Sequence, residues 1–463
     1  MDKTARQYPD AVDTYKRLAR YPLLDALLHR RSRRFAKGMC LDGGPLSYES
    51  RHPPQPLSLQ EEAALAFAAC GITGHALAEL PYQPGAVAES SGGNIMVHFV
   101  GRTVASGDAL HVVSLIVIND DGVWLLKRPQ DFPHSEFPGL IQAARERRLV
   151  ELYERERVRI AEERLDIPRE IPFTLSLNKW SVNVPGATYF LPVSELTALY
   201  INVLLTIFDK EYGYFLVDDR NQFRPAGIGR FARSRGGHLY DDPADGRAGS
   251  VSFAESWLYE FAALEQGGIL QNLGLMTQAL GLGGFSHFAA HPFIWLQTLG
   301  FRMEQPVVSR IYGLGPLARG LLKLFKKDIP VPTAVGLERD GQPLLKSFCP
   351  PYYASMKEAV LAFVDYKFAT STGTCRNGGT ATAWRDGKGV QAGIPNHSDE
   401  AIAATIAYCE YIYNRYGRFP ALNGPFRTVL GYQAHHLDPE FYARFYREDA
   451  LSDTQRMHPE VHP

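Results

Sequence analysis

Nowhere in the 463 residues does an apolar run reach the ~18 residues that a membrane helix requires. The best candidate, residues 196–208, is interrupted by Thr197, Asn202 and Thr206. Its apolar residues recur at 196, 199, 200, 203, 204 and 207, the spacing of an amphipathic helix, so no membrane partner is expected. Cysteine is scarce: Cys40, Cys70, Cys349, Cys375 and Cys409 are odd in number, widely spaced and contain no CxxC pair. That argues against a disulfide framework or a structural zinc site and makes a reducing cytoplasm the default expectation. Excess charge is missing too. Lys+Arg is 49 and Asp+Glu is 50, a net charge of −1, which leaves no global basic field for nucleic acid or an anionic membrane surface. The opening MDKTARQYPD has no apolar core, so a secretory leader is not expected there. Internal repeats and low-complexity tracts are absent.

What remains is ordinary globular material, 45% hydrophobic and 21% charged. The length fits roughly three domains of about 150 residues, or one large domain with insertions. Residues 10–30 read as a helix that runs into the basic cluster Arg30-Arg31-Ser32-Arg33-Arg34, followed by a Pro/Gly-rich connector. Ser58 and Glu61 form a capping-box pattern ahead of an Ala-rich helix over 59–70. Strands are expected around 95–104 and 111–118, and Asn119-Asp-Asp-Gly122 makes a hairpin of 112–118 with 123–126. The charged run 144–165 reads as a solvated helix with i,i+4 ion pairs, and 230–250 as a mobile loop. The strongest helix spans 253–280, with a capping box at Ser252 and Glu255 and Gly281, Gly283 and Gly284 as stop signals. A short strand at 331–337 and helices at 356–363 and 401–413 complete the outline.

Three stretches could carry chemistry. Four guanidiniums around Ser32 can offer a phosphate many donors, or can simply end a helix in water. In Ser90-Ser91-Gly92-Gly93-Asn94 the glycines allow close approach and Asn94 can both donate and accept; a plain turn is the alternative. Residues 271–284 read as a buried helix end in which Gly274 and Ala279 permit close packing.

In this order the three pieces resemble the nitroreductase-like FMN enzymes. Arg30, Ser32, Arg34 and Phe35 match that family's Arg-x-Ser-x-Arg-aromatic opening. Pro56-Leu57-Ser58 and Ser91–Asn94 match its Pro-Leu-Ser and Ser-x-x-Asn elements, and residues 279–283 its Ala-Leu-Gly-Leu-Gly. After Asn94 this chain has Ile95-Met96-Val97 where the family has Gln-Pro-Trp. The resemblance implies an α+β fold with a mixed sheet flanked by helices. It also implies a homodimer with FMN at its interface, and electron transfer from NAD(P)H to a small organic acceptor. It places the flavin phosphate on Arg30, Arg31, Ser32 and Arg34, with a late cation for which Lys346 is the nearest match. It places Ser91 and Asn94 at the ring, and Gly283 and Gly284 beside the cofactor. The implied organisation is a core from 1–120 and 251–365, an insertion at 121–250 that covers the flavin, and an extension at 366–463.

Alternatives stay open. One is a flavin-dependent oxidase or dehydrogenase of a peptide or natural product. Another is a hydrolase or transferase built on Cys375, which lies in a glycine loop beside Arg376. A third is a non-catalytic flavin-binding dimer. No metal is expected. His287 and His291 are spaced by four but Pro292 follows them, and the adjacent His435 and His436 point apart on a regular element. The latter pair is read as lining a pocket or capping a helix.

Overall fold

The computed structural model describes residues 11–80, 95–171, 173–288, 292–379, 382–428 and 430–461. Among them no helix is long and apolar enough to cross a membrane. The elements that position the candidate sites are these. In the N-terminal half they are α1 (Leu23–His29), α2 (Leu59–Cys70), β1 (Val113–Asn119), β2 (Gly122–Leu126), β3 (Arg157–Ala161), β4 (Thr188–Glu195) and α3 (Thr197–Ile207). From there come α4 (Val251–Leu280), β5 (Gly283–Phe288), β6 (Phe301–Glu304), β7 (Thr333–Arg339) and β8 (Gln342–Lys346). The last are α5 (Met356–Phe368), α6 (Asp399–Tyr416), β9 (Phe426–Arg427), β10 (Leu430–His435) and α7 (Asp453–Val461).

A seven-stranded sheet runs in the order β5-β10-β4-β1-β2-β3, with β9 also paired to β4. The hairpin expected at 119–122 forms, with Asn119 opposite Gly122 and Ile116 opposite Leu125. β4 pairs with β1 on one side, Val117 opposite Phe190, and with β10 on the other, Tyr432 opposite Phe190. Alternation sends successive residues to opposite faces. Leu115, Val117 and Phe190 enter a core shared with α2, α3, α4 and α6. Ile116, Ile118, Tyr189 and Leu191 enter a second core with Trp295, Phe301, Ala334 and Leu337. The sheet is thus a middle layer, with helices on one face and the small sheet β6-β7-β8 on the other.

The arrangement is α+β, but the main sheet is antiparallel at every pairing among the described residues, not mixed. The organisation also differs from the expected one. The stretch 121–250 supplies β2, β3 and β4 to the sheet, and its aromatic residues Trp124, Tyr189 and Phe190 are buried there. The stretch 366–463 supplies β9 and β10, and β10 sits between β5 and β4. Neither is an appendage to a core completed elsewhere, because removing either would open the sheet.

Local departures have local causes. The charged run 144–165 is not one helix. Helix 149–156 ends at the edge strand β3, whose Arg157 and Arg159 lie over the Trp124 ring at 5.5 and 5.3 Å. Charge on an exposed edge discourages pairing with another chain. The long helix begins two residues earlier than expected, with Ser250 rather than Ser252 as its N-cap. Residues 230–250 form short 3-10 turns and a strand over Ala248–Ser250 rather than an unstructured loop.

Leu273 of α4 is fully buried against the sheet. Leu273→Ala should cost about 2–5 kcal/mol in chemical denaturation. Leu317→Ala, at a residue 80% exposed, should stay within about 0.5 kcal/mol. Equal effects would contradict the assigned core.

Candidate functional site

Two separate places collect the residues singled out from the sequence. The first is the segment 30–34, which crosses the C-terminal end of α4. The Arg30 side chain lies along Gly274, where an added Cβ would stand 3.5 Å from its Cδ. Arg30 and Ser32 are exposed. Arg31 is also exposed but folds back, donating to the carbonyls of Leu28 and Arg30 at 3.0 and 2.9 Å. Arg33 and Arg34 are structural. Arg33 donates its backbone N–H to Gly284 O at 3.1 Å, and its guanidinium to Ala450 O at 2.8 Å and Gln278 Oε1 at 3.2 Å. Arg34 lies between the rings of Trp180 and Phe285 and donates to Asn178 Oδ1 at 2.8 Å and Ser181 Oγ at 2.6 Å. That guanidinium is committed within the chain and does not offer a phosphate the fork expected of it.

The structure therefore joins the basic segment to Gly283-Gly284, but through the backbone. Both glycines sit in β5 opposite His435 and Ala434 of β10. A Cβ on Gly284 would come within 2.5 Å of the Tyr432 hydroxyl. Close packing of β10 is sufficient reason for glycine there.

Lys346 is elsewhere. It ends β8 and lines a cavity of about 440 Å³ together with His98, Arg128, Asp131, Glu195 and Tyr366. Along β4 the cavity end, Glu195, is separated from Phe190, the partner of Tyr432, by five residues. That is about 17 Å of strand at ~3.4 Å per residue. Lys346 thus does not share a phosphate site with Arg30 within one chain, and its ammonium lies 5.3 Å over the Tyr353 ring.

The cavity has a built polar wall. Arg128 forks onto Asp131, Nε to Oδ2 at 3.1 Å and NH2 to Oδ1 at 3.2 Å, while Asp131 also accepts the Arg128 backbone N–H. Glu195 is buried at the N-terminus of α3 and accepts from the N–H groups of Thr197 and Ala198 at 2.7 and 3.1 Å. Desolvation raises its pKa and these hydrogen bonds oppose the rise. The Tyr366 hydroxyl and His98 Nε2 share a hydrogen bond of 2.7 Å. Burial, with His134, Arg128 and Lys367 adding positive charge nearby, pushes His98 down to about 3, so its imidazole is neutral at physiological pH. The wall combines a paired guanidinium, a neutral imidazole–phenol pair and an exposed lysine at its rim. It can hydrogen-bond and orient a polar or anionic small molecule.

Beside Tyr366, one residue further along α5, begins a polar cluster that no sequence signal marked. Lys367 is fully buried, donating to Asn202 Oδ1 at 2.9 Å and lying 3.2 Å from His397 Nε2. Burial lowers its pKa to about 8. Asn202 in turn donates to Ile95 O and to Asp108, whose carboxyl is raised to about 6 by burial. Cys375 is buried nearby, and desolvation raises its thiol pKa against the opposing pull of Lys367. A thiol held protonated is a poor nucleophile, which weighs against the cysteine-enzyme alternative. Ser91, Asn94 and His291 lie outside the described residues.

No family model matches the sequence, and no curated relative matches it. Among solved structures, a similar chain is a crystal structure described as a "putative nitroreductase" from Ralstonia eutropha. It is 13% identical, with a TM-score of 0.28, and the match covers 65% of this chain and 81% of that chain. So loose a likeness carries no argument of its own, and the functional reading has to stand on residues.

The His98 shift has a testable sign. A folded-state pKa below the ordinary 6.5 contributes stability that is fully present above pH 6.5. It is lost as pH falls from 6.5 toward about 3. His98→Gln keeps a partner for Tyr366 and removes that titration. Its stability should fall less steeply over this window than the wild type, by up to about 1.4 kcal/mol per pH unit. Parallel stability–pH curves for the two proteins would refute a neutral buried His98.

Proposed function

We propose that the chain is an FMN-dependent oxidoreductase of the nitroreductase-like kind, working as a homodimer with a nicotinamide donor and a small organic acceptor. The observation that carries the reading is the state of the basic segment. Arg33 and Arg34 fasten it to α4 and β5, while Arg30 and Ser32 are left facing solvent at its turn. A guanidinium and a hydroxyl held on a braced turn fit a phosphate monoester. Bound there, FMN would supply the hydride and electron chemistry that no side chain of this protein can provide. Arg30 and Ser32 would anchor the phosphate, and Arg33 would keep them in place through its bonds to Ala450 and Gln278.

The cavity at His98 is the natural place for the acceptor. Lys346 at the rim would draw an anionic acceptor, and Tyr366 would orient it.

The dimer reading is supported by α4. Ile269, Leu273 and Leu280 face the chain's own core. Phe253, Trp257, Phe261 and Leu264 form a stripe on the outer side, with Phe253 56% and Leu264 73% exposed. Leu23, Leu24, Leu27 and Leu28 of α1, which packs on α4, are exposed as well. Apolar surface of this extent is characteristic of an interface.

Two measurements test the proposal. Arg30→Ala should weaken FMN about 10- to 100-fold in a fluorescence titration, as expected for the loss of one charge-assisted bond of roughly 1.5–3 kcal/mol. Riboflavin, which lacks the phosphate, should bind the variant and the wild type alike. Wild-type protein that is colourless and takes up no added FMN would remove the reading. Leu264→Glu should convert a dimer to a monomer in light scattering, whereas a monomeric wild type at micromolar concentration would overturn the assembly.

A further inference from the structure

Three side chains from distant parts of the sequence meet in the interior on the far side of β10. Glu61 is the third residue of α2, His436 follows the end of β10, and His458 lies on α7. Their side chains are 1%, 3% and 6% exposed. His458 Nε2 lies 2.9 Å from His436 Nδ1 and 3.5 Å from Glu61 Oε1. His436 Nε2 lies 3.6 Å from Glu61 Oε2. One ligand atom from each of the three falls within 4.8 Å of the others.

The hydrogen bonds around the group fix what faces inward. His458 Nδ1 stands 2.8 Å from the carbonyl of Leu280, the last residue of α4. A carbonyl only accepts, so Nδ1 carries the proton, and in the neutral ring Nε2 presents a lone pair. Glu61 Oε2 accepts from Ser58 N at 2.7 Å, one half of the capping box, and from Ser58 Oγ at 2.9 Å, which sets the carboxylate's orientation. His458 Nε2 lies 2.9 Å from His436 Nδ1 and 3.5 Å from a Glu61 carboxylate oxygen, so the three side chains turn their donor atoms toward one another.

We propose that the group is a binding site for a divalent transition-metal ion, with zinc as its reference occupant. Two imidazoles and one carboxylate, with a fourth position open to water, make up a familiar zinc donor set. Ligands ~2.0–2.1 Å from a tetrahedral ion stand about 3.3 Å from one another, close to the 2.9 and 3.5 Å that separate His458 Nε2 from His436 Nδ1 and from Glu61 Oε1. The outer contacts are those a metal site needs. One histidine donates its remote N–H to a backbone carbonyl, and the carboxylate is itself hydrogen-bonded. A cavity of about 210 Å³, lined by Leu280, Thr454 and His458 among others, opens onto one of the three side chains. The ion would fasten α7 to α2 and to the end of β10. The sequence reading expected no metal, because His436 stands beside His435 on a strand end and its partners are separated from it by chain distance. The site does not depend on the flavin reading.

The test is metal uptake by chelator-stripped, dialysed full-length protein, titrated with Zn²⁺ and with Co²⁺ and assayed by elemental analysis. One equivalent per chain is expected, with the visible bands of four-coordinate cobalt and a rise in melting temperature on adding zinc. His458→Ala and His436→Ala should lower the affinity by more than the roughly 10- to 100-fold that loss of an outer-shell partner costs. Glu61→Gln retains a residue able to complete the capping box, so it should melt like the wild type in chelator while binding zinc at least tenfold more weakly. This variant and the wild-type titration decide the matter even if the histidine variants do not fold. Absence of stoichiometric uptake by the wild type would overturn the proposal. So would undiminished binding by Glu61→Gln together with folded His458→Ala.

Discussion

Everything else in the molecule is placed by one strand. β4 is buried along its whole length and is paired on both sides, to β1 earlier in the chain and to β9 and β10 far later. Such a strand has no solvent face, so its register is fixed by two cores at once. Glu195 at its end meets the first N–H groups of α3, which seats that helix and one wall of the cavity. Gln433, across from Tyr189, accepts from the backbone of Asn183 at 2.8 Å and donates to Ser181 O at 2.8 Å. That ties the approach to β4 into the same ladder. The basic segment depends on it one step removed, because Arg33 grips Gly284 in the strand next to β10.

Local grammar was readable in the sequence where it acts over a few residues. The capping box at Ser58, the hairpin at 119–122, the α3 helix and the long α4 follow from turn chemistry and periodicity. The partition of the chain was not readable. A strand carries the same pattern whether it pairs at an edge or at the centre of a sheet, so nothing local in 188–195 or 430–435 announces that they are neighbours. Treating 121–250 as an insertion and 366–463 as an extension followed from looking for a core in the segments that bore motifs.

The candidate sites show the same division. Arg30 and Ser32 could be picked out because charge and hydroxyl cluster within five residues. The roles of Arg33 and Arg34 could not, because their partners Gln278, Ala450, Asn178 and Ser181 come from other elements. The cavity wall draws on five distant stretches, from His98 to Tyr366, each contributing only a few polar residues that nothing local marks out. The Lys367 cluster is quieter still, since a buried lysine looks like any other lysine until its surroundings are known.

The position of β10 has a consequence for synthesis. On a ribosome the chain emerges in order, and both β4 and β5 are made long before residues 430–435 exist. Until then the strand destined to join them is missing, and two rows of backbone N–H and C=O groups remain without their final partners. Open edges of this kind invite pairing with other nascent chains. Release from that hazard comes only when residues 430–435 thread between their two neighbours, so these edges stay open until more than four hundred residues have been made.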